Sequence, residues 1–423
     1  MYIFYSFLLF LSLTIYIPLY FVRIKLFRGE SLYLKERLRL RLPVKSRQNR
    51  SLWIHAVSVG EVLSLQNLIK QIKKKHPDWI IHFSSLTNSG IRMAKEKLIE
   101  ADNIFFAPFD FARIVKRFFK SLKPDVFILA ESEFWPNLLR EANRHTKGVI
   151  LINGRISDCS LKKYTKIRFL IKKILKNINI FLVQTEKDRE SLKKIGVNSS
   201  QVEVAGNLKT EVNLPLLNND ELLKLKRSLS IAEGKKVVIA GSTRKGEEEK
   251  LLDAYTKARE IKGDILLILA PRHPQRTDEI EKICQNLGFK VIRRTSVLPI
   301  TEWDVLVLDT IGELPKFYAL SDVAFVGGSL IPWGGHNLLE PAFYEKPVFF
   351  GPHMENFSFL AEKFIHSGAA RVVYKEEDLV RMFLAEDEKN LEEMGNKAKE
   401  TLDSLQGATE KTIRTVEVLM EKP

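Results

Sequence analysis

A chain of 423 residues is too long for a single compact core and suits two domains of ordinary size, and an apolar share of 45% is enough to fill both. Its two cysteines, Cys159 and Cys284, stand far apart without metal-ligand spacing, which argues against a disulfide scaffold or a zinc site and favours a reducing compartment. A net charge of +15 and a pI near 9.5 ask for an anionic partner: nucleic acid, an acidic membrane surface or a phosphorylated substrate.

Residues 1–22 read as a membrane anchor helix. Tyr2 to Val22 carry no charge and are dominated by Phe, Leu, Ile and Tyr, enough at helical rise to cross a bilayer core or to lie deep in its interface. Arg23, Lys25 and Arg28 follow at once, so the positive-inside rule puts the rest of the chain in the cytoplasm. The leading charge and small-residue cleavage site of a secretory signal are not there. A buried core helix is the alternative, and Pro18 with four tyrosines also suits a tilted or interfacial anchor. Residues 23–50, rich in Lys and Arg with Leu34, Leu38 and Leu42 at helical spacing, read as a basic amphipathic segment lying on anionic headgroups or, equally, as a solvated helix with one apolar face.

From Ser51 short apolar runs alternate with charged helical stretches. The runs Ser51–Val57, Trp79–Ser85, Asn103–Phe106, Val126–Ala130, Gly148–Ile152 and Ile178–Gln184 read as strands. Around Glu203 to Asp220 the pattern lapses. It resumes with Lys236–Ala240, Ile265–Ala270, Lys290–Arg293, Val305–Leu308, Val323–Val326, Pro347–Phe350 and Arg371–Tyr374. The fold class is therefore α/β with two Rossmann-like domains, 51–208 and 221–400, joined by a linker at 209–220 and followed by a charged C-terminal helix at 401–423. Ligands of such sheets bind beyond the carboxyl ends of the strands, so the loops after each strand are expected to line a cleft between the domains.

Those loops hold the polar chemistry. After the first strand comes His55-Ala56-Val57-Ser58-Val59-Gly60-Glu61; Glu61 at a helix mouth is placed as an ionised general base, and it equally fits a carboxylate placed there for the helix dipole. Glu131-Ser132-Glu133-Phe134-Trp135-Pro136-Asn137 follows the fourth strand, where Glu131 and Glu133 can orient a sugar or can simply cap a helix. Arg155 follows the fifth and suits a carboxylate or phosphate. In the second half, Gly241-Ser242-Thr243-Arg244-Lys245-Gly246-Glu247 is a small-residue phosphate loop with Ser242 and Arg244 in it, lacking the ending of an ATP-hydrolysing P-loop. Pro271, Arg272 and His273 end the next strand, and Gly312 lies in a turn that can close round a nucleotide. Gly327-Gly328-Ser329-Leu330-Ile331-Pro332-Trp333-Gly334-Gly335-His336-Asn337-Leu338-Leu339-Glu340-Pro341 reads as a nucleotide site. Glycine N–H groups there face a phosphate, Gly335 and His336 lie in the loop, Asn337 caps the next helix, and Glu340 is in reach of a ribose. No aromatic-basic interleaving of the single-strand-binding kind is present, which argues against nucleic acid.

These motifs together resemble the 3-deoxy-D-manno-octulosonic acid (Kdo) transferases of Gram-negative inner membranes. The resemblance runs through residues 55–61, 131–137, Gly206-Asn207-Leu208-Lys209, 241–247, 271–274 and the glycine-pair motif, nearly the whole chain. It implies a GT-B fold with an N-terminal membrane-anchor helix, a CMP-Kdo donor, a lipid A precursor acceptor modified at its 6′-hydroxyl with inversion, anionic inner-membrane lipids as surroundings, and no metal or other cofactor. It implies that Glu61 is the base, that Lys209 belongs with Glu131, Glu133 and Arg155 among the substrate contacts, and that residues 271–273, the 241–246 loop and Glu340 contact CMP. Arg244 stands where many members have histidine, and Thr210 where an aromatic is common. The rival readings are another GT-B enzyme, such as a lipid-linked sugar transferase or an epimerase, and a non-enzymatic basic membrane-associated protein.

Overall fold

The computed structural model describes residues 1–27 (from residue 16 the backbone only), 33–38, 49–212, 214–296 and 302–422. The chain divides into two units, Met1–Glu211 with Leu405–Pro423, and Val212–Ser404. In chain order the first unit contains α1 (Tyr2–Phe27), α2 (Leu34–Leu38), β1 (Ser51–Ala56), α3 (Val59–Lys75), β2 (Ile80–Ser85), α4 (Asn88–Lys97), β3 (Asn103–Phe106), α5 (Ala112–Leu122), β4 (Val126–Ala130), α6 (Pro136–His145), β5 (Gly148–Gly154), α7 (Asp158–Lys166), α8 (Arg168–Leu175), β6 (Ile180–Val183), α9 (Glu186–Lys194) and β7 (Val202–Val204). The second contains α10 (Asn219–Ser228), β8 (Lys236–Thr243), α11 (Glu248–Ile261), β9 (Ile265–Pro271), α12 (Thr277–Asn286), β10 (Val291–Arg293), β11 (Val305–Val307), α13 (Leu314–Leu320), β12 (Val323–Val326), α14 (Leu339–Phe343), β13 (Val348–Phe350), α15 (Ser358–His366), β14 (Ala370–Val372), α16 (Glu376–Leu384) and α17 (Glu388–Asp403). Helix α18 (Ala408–Met420) returns to the first.

Among the described residues the strands form two parallel sheets of seven, ordered β3-β2-β1-β4-β5-β6-β7 and β10-β11-β9-β8-β12-β13-β14. Every expected strand is present to within three residues at each end. The added one, β7, fills the place where the apolar pattern lapses. It is an edge strand of three residues in which only Val202 is buried, so no apolar run marks it. Successive residues of a strand face opposite sides of the sheet, and each sheet is covered on both. Leu52 and Ile54 pack with Val62, Leu65 and Leu68 of α3, whereas Trp53 between them packs with Phe118 and Phe119 of α5. The first side is closed by Ile413, Val416 and Leu419 of α18, so the charged C-terminal stretch carries a buried apolar stripe. In the second unit Val238 and Ala240 face α11 and α16 while Val237 and Ile239 face α13.

Helix α1 covers residues 2–22 of the expected anchor and runs on to Phe27, and among the described residues no helix is long and apolar enough to cross a membrane. Its first turns carry polar contacts to the first unit: the Tyr5 hydroxyl bonds to Asp110, and Asn137 donates to Ser6 Oγ at 3.1 Å. Of the expected basic segment at 23–50, α2 is described, and residues 28–32 and 39–48, Leu42 among them, lie outside the described residues.

Asp110 also accepts the backbone N–H groups of Asn137 (3.1 Å) and Leu138 (2.6 Å) at the start of α6. Burial nevertheless outweighs these donors and pushes its carboxyl up to about 7. The unfolded chain loses this proton near its ordinary value of about 4 while the folded chain keeps it until about 7. Stability therefore falls as pH rises through that window and is level above it, by an amount of order 2–4 kcal/mol. Asp110→Asn, which cannot ionise, is expected to flatten that part of a plot of melting temperature against pH. An unchanged slope would remove Asp110 from the account.

Candidate functional site

In an open parallel sheet the crevice for a ligand lies where the strand order reverses, outside the carboxyl ends. In the first sheet that point is between β1 and β4, and in the second between β8 and β12. The loops after those four strands carry most of the residues singled out from the sequence.

After β1, Ser58 is the N-cap of α3 and Glu61 its third residue, and the two form a capping box. Glu61 Oε2 accepts Val57 N–H at 2.8 Å, and Oε1 accepts the Ser58 hydroxyl at 2.8 Å and Ser58 N–H at 3.3 Å. The side chain is buried, and burial raises its pKa. The Val57 and Ser58 hydrogen bonds pull the other way, and the Glu131 and Glu133 carboxylates add to the rise. The capping reading is met by this geometry, and burial with the neighbouring carboxylates leaves Glu61 more basic than an ordinary glutamate. His55, four residues after Ser51, is a core residue; it is buried, bonded to Ser84 Oγ at 2.9 Å and pushed down to about 4 by burial.

Glu131 and Glu133 stand in the loop after β4. Glu131 adopts a left-handed φ of +56°, rare for a residue with a side chain and typical of functional loops, and pairs with Lys209 at 2.8 Å. Glu133 accepts the Trp135 indole N–H at 3.1 Å. Lys209 is delivered by Asn153 at the end of β5, also left-handed at φ +52°, whose Oδ1 accepts Leu208 N–H at 3.0 Å. Glu61, Glu131, Glu133 and Lys209 are therefore brought together. Arg155 is exposed, and its carbonyl oxygen accepts the Ser132 hydroxyl; its guanidinium has no ion pair among the described residues.

The loop after β12 corrects the sequence reading. Its N–H groups at Gly328, Ser329 and Leu330 do face a carboxylate, but that of Glu247, at 2.6, 2.9 and 2.8 Å. Glu247 is fully buried and also accepts Arg244 N–H at 2.9 Å, so the chain's own anion fills the nest expected to take a phosphate. Glycine is required at 327 by close approach: a Cβ would sit 2.7 Å from the Ser242 carbonyl oxygen. Gly335 N–H is engaged as well, donating to Gly328 O at 2.8 Å. Asn337 Oδ1 accepts Leu339 N–H at 3.1 Å, but Leu338 is the residue at the cap position of α14, a helix of only five residues.

What remains open in the second unit is a cationic cluster. Arg244 Nη1 donates to His273 Nε2 at 2.9 Å, Arg244 Nε to His336 Nε2 at 3.3 Å, and the guanidinium lies 4.7 Å from the Trp333 ring centre. His336 is pushed down to about 4 by burial first and then by Arg244, Arg272 and His273, so it is a neutral imidazole at pH 7. Glu340 is held above the usual carboxylate range by burial, with Arg272 opposing. Ser242 has φ +58° at an irregularity between β8 and β9, where Thr243 pairs with Pro271. Gly312 does not join this group. It lies in an exposed turn after β11, φ +90°, whose neighbours Asp309 and Glu313 bind Thr295 and Arg294. Sequence reasoning named the motif containing Glu247 but missed its role, and missed Asn153 as the residue that seats Lys209. Among the described residues no trio of His, Cys, Asp or Glu is arranged to hold a metal.

Residues 33–212 match the family model described as 3-deoxy-D-manno-octulosonic-acid transferase (kdotransferase). The chain is 30% identical over 379 residues to a 3-deoxy-D-manno-octulosonic acid transferase of Haemophilus influenzae, covering 88% of each. It is 34% identical over 351 residues to a bifunctional glycosyltransferase/methyltransferase of Fusobacterium nucleatum; that match takes in 81% of this chain and 53% of the relative, about half its length. Among solved structures, the UDP-GlcNAc 2-epimerase of Neisseria meningitidis bound to UDP-GlcNAc aligns with a TM-score of 0.55 at 13% identity, over 87% of this chain and 100% of the epimerase. At that identity the likeness concerns the fold alone.

Proposed function

The chain belongs to the 3-deoxy-D-manno-octulosonic acid (Kdo) transferase family, and from that premise we propose that it transfers Kdo from CMP-Kdo to the 6′-hydroxyl of a lipid A precursor, with inversion. The observation that carries this reading is the division of charge between the two switch points. One gathers the carboxylates Glu61, Glu131 and Glu133, and the other the cations Arg244 and Arg272 with His273 and His336. Carboxylates suit a hydroxyl acceptor and cations suit a nucleotide phosphate.

Ionised Glu61 takes the acceptor's hydroxyl proton as that oxygen attacks the anomeric carbon of Kdo. The bond to the CMP phosphate oxygen breaks, and its electron pair leaves with CMP. Arg244 and Arg272 stabilise the negative charge on that phosphate, and His273 and the neutral imidazole of His336 add hydrogen bonds. Glu340 accepts from the hydroxyl groups of the ribose. Glu131 and Lys209, fixed to each other, hold the polar head of the acceptor together with Glu133 and Arg155.

In the same reading residues 1–22 hold the chain at the cytoplasmic face of the inner membrane, among anionic lipids. The support is the uncharged run followed by Arg23, Lys25 and Arg28. Recovery of the full chain in the soluble fraction of its own cells would refute this part.

The whole reading is tested by incubating purified protein with CMP-Kdo and tetraacylated lipid A precursor and weighing the lipid by mass spectrometry; a gain of Kdo mass is expected, and unaltered lipid would refute it. Within it, Arg272→Ala and Glu340→Ala are expected to weaken CMP binding about 10- to 100-fold each, the loss of one charge-assisted hydrogen bond. Calorimetric titration of CMP checks this, and wild-type affinity in both variants would move the nucleotide elsewhere.

A further inference from the structure

Helix α1 is fastened to the first unit at its start. Asn177 Nδ2 donates to the Tyr2 hydroxyl at 3.1 Å, Asn137 Nδ2 to Ser6 Oγ at 3.1 Å, and the Arg140 guanidinium lies 4.3 Å from the Tyr2 ring centre. Held this way, Met1, Phe4 and Leu8 line an apolar cavity of about 670 Å³ together with Leu170, Ile171 and Ile174 of α8. Ser132, Glu133 and Trp135 line the same cavity. The apolar space is thus continuous with the β4–α6 turn that carries the acceptor-side carboxylates, and Glu133 is common to both.

An apolar cavity that ends on fixed polar groups fits an amphiphile, with its tail in the cavity and its head at Glu131, Glu133 and Lys209. The helices around it agree in charge and exposure. Lys162, Lys163 and Lys166 of α7 and Arg168, Lys172 and Lys173 of α8 flank in sequence Phe169, which is 81% exposed, and Ile167, which is 47% exposed. Apolar rings among cations suit an anionic lipid headgroup. Resting on the proposed transferase reading, we propose that this cavity receives one acyl chain of the lipid acceptor, and that the first two turns of α1 are the wall of a substrate site. Each methylene taken out of water strengthens binding about fourfold, so even a short buried stretch of chain dominates acceptor affinity.

The test uses the full chain in one detergent with two acceptors, the tetraacylated lipid A precursor and the same disaccharide stripped of its acyl chains. Wild type is expected to use the acylated acceptor with a kcat/KM at least about 100-fold higher. Leu8→Trp on one wall and Leu170→Trp on the other fill the cavity. Each is expected to raise KM for the acylated acceptor at least tenfold while leaving kcat/KM on the stripped acceptor, KM for CMP-Kdo and the melting temperature near wild type. Equal use of both acceptors by wild type, an unchanged KM in both variants, or equal losses on both acceptors would each overturn the proposal. Absence of transfer to either acceptor by wild type would instead refute the transferase reading itself.

Discussion

Glu61→Gln is expected to turn over CMP-Kdo about 10²–10⁴ times more slowly than wild type, with CMP affinity and melting temperature close to unchanged. The capping geometry makes this a clean separation. Glutamine keeps an acceptor oxygen for Val57 N–H, which now lies 2.8 Å from Glu61 Oε2, and its amide can donate to Ser58 Oγ, so the structural cost is at most about 1 kcal/mol. It cannot take a proton from the acceptor hydroxyl. If capping were the whole role, turnover would stay within about tenfold of wild type, and that result would move the base to Glu131 or Glu133.

The environment of Glu61 adds a pH signature to the same experiment. Burial raises its pKa, and Glu131 and Glu133 raise it further. The ionised base is therefore lost, as pH falls, earlier than an ordinary glutamate would lose it, and kcat/KM should decline on the acid side accordingly. Glu133→Gln removes one of the like charges, which lowers the pKa of Glu61, so the acid limb should move to lower pH in that variant. A limb that stays in place or moves upward would show that Glu61 does not set it.

The contrast between the two switch points explains what the sequence makes legible. Buried parallel strands are near-continuous apolar runs, so β1, β4, β8, β9 and β12 announce themselves, and the residues in the loops after them follow by position alone. Glu61, Glu131, Arg244, Arg272 and His336 were found that way. Three features hide from such a reading for physical reasons. Edge strand β7 buries one residue of its three and has no pattern to see. The apolar stripe of α18 is diluted by charged residues on its outer side, and only its packing against the sheet reveals which core it closes. Tyr5 pairs with Asp110 and Ser6 with Asn137, each more than a hundred residues along the chain, a relation that hydropathy cannot register, so the uncharged run leaves open whether its beginning is docked.

Glu247 is the clearest instance, and its replacement carries the second large effect. Glu247→Gln is expected to lower the stability of the second unit by about 2–6 kcal/mol and to weaken CMP binding at least about tenfold. The four donors on this carboxylate come from residues 3 and from 81 to 83 positions away, so in sequence it looks like a first-turn glutamate and nothing more. Two of them, Gly328 N–H and Arg244 N–H, share Oε2, and Ser329 and Leu330 N–H share Oε1. A glutamine presents one oxygen and one NH₂, so two backbone N–H groups in a fully buried place face a donor instead of an acceptor, at about 1–3 kcal/mol each. In the proposed reading the loss extends to CMP because Gly328 O accepts Gly335 N–H at 2.8 Å and Arg244 N–H is one of the four donors. Releasing the carboxylate frees both the segment that carries His336 and the residue that binds it. Thermal unfolding and CMP titration on the same sample decide the matter. A Glu247→Gln protein that is destabilised yet binds CMP as wild type does would make Glu247 a fold residue only, and one that is unchanged in both would mean the loop finds other acceptors for its N–H groups.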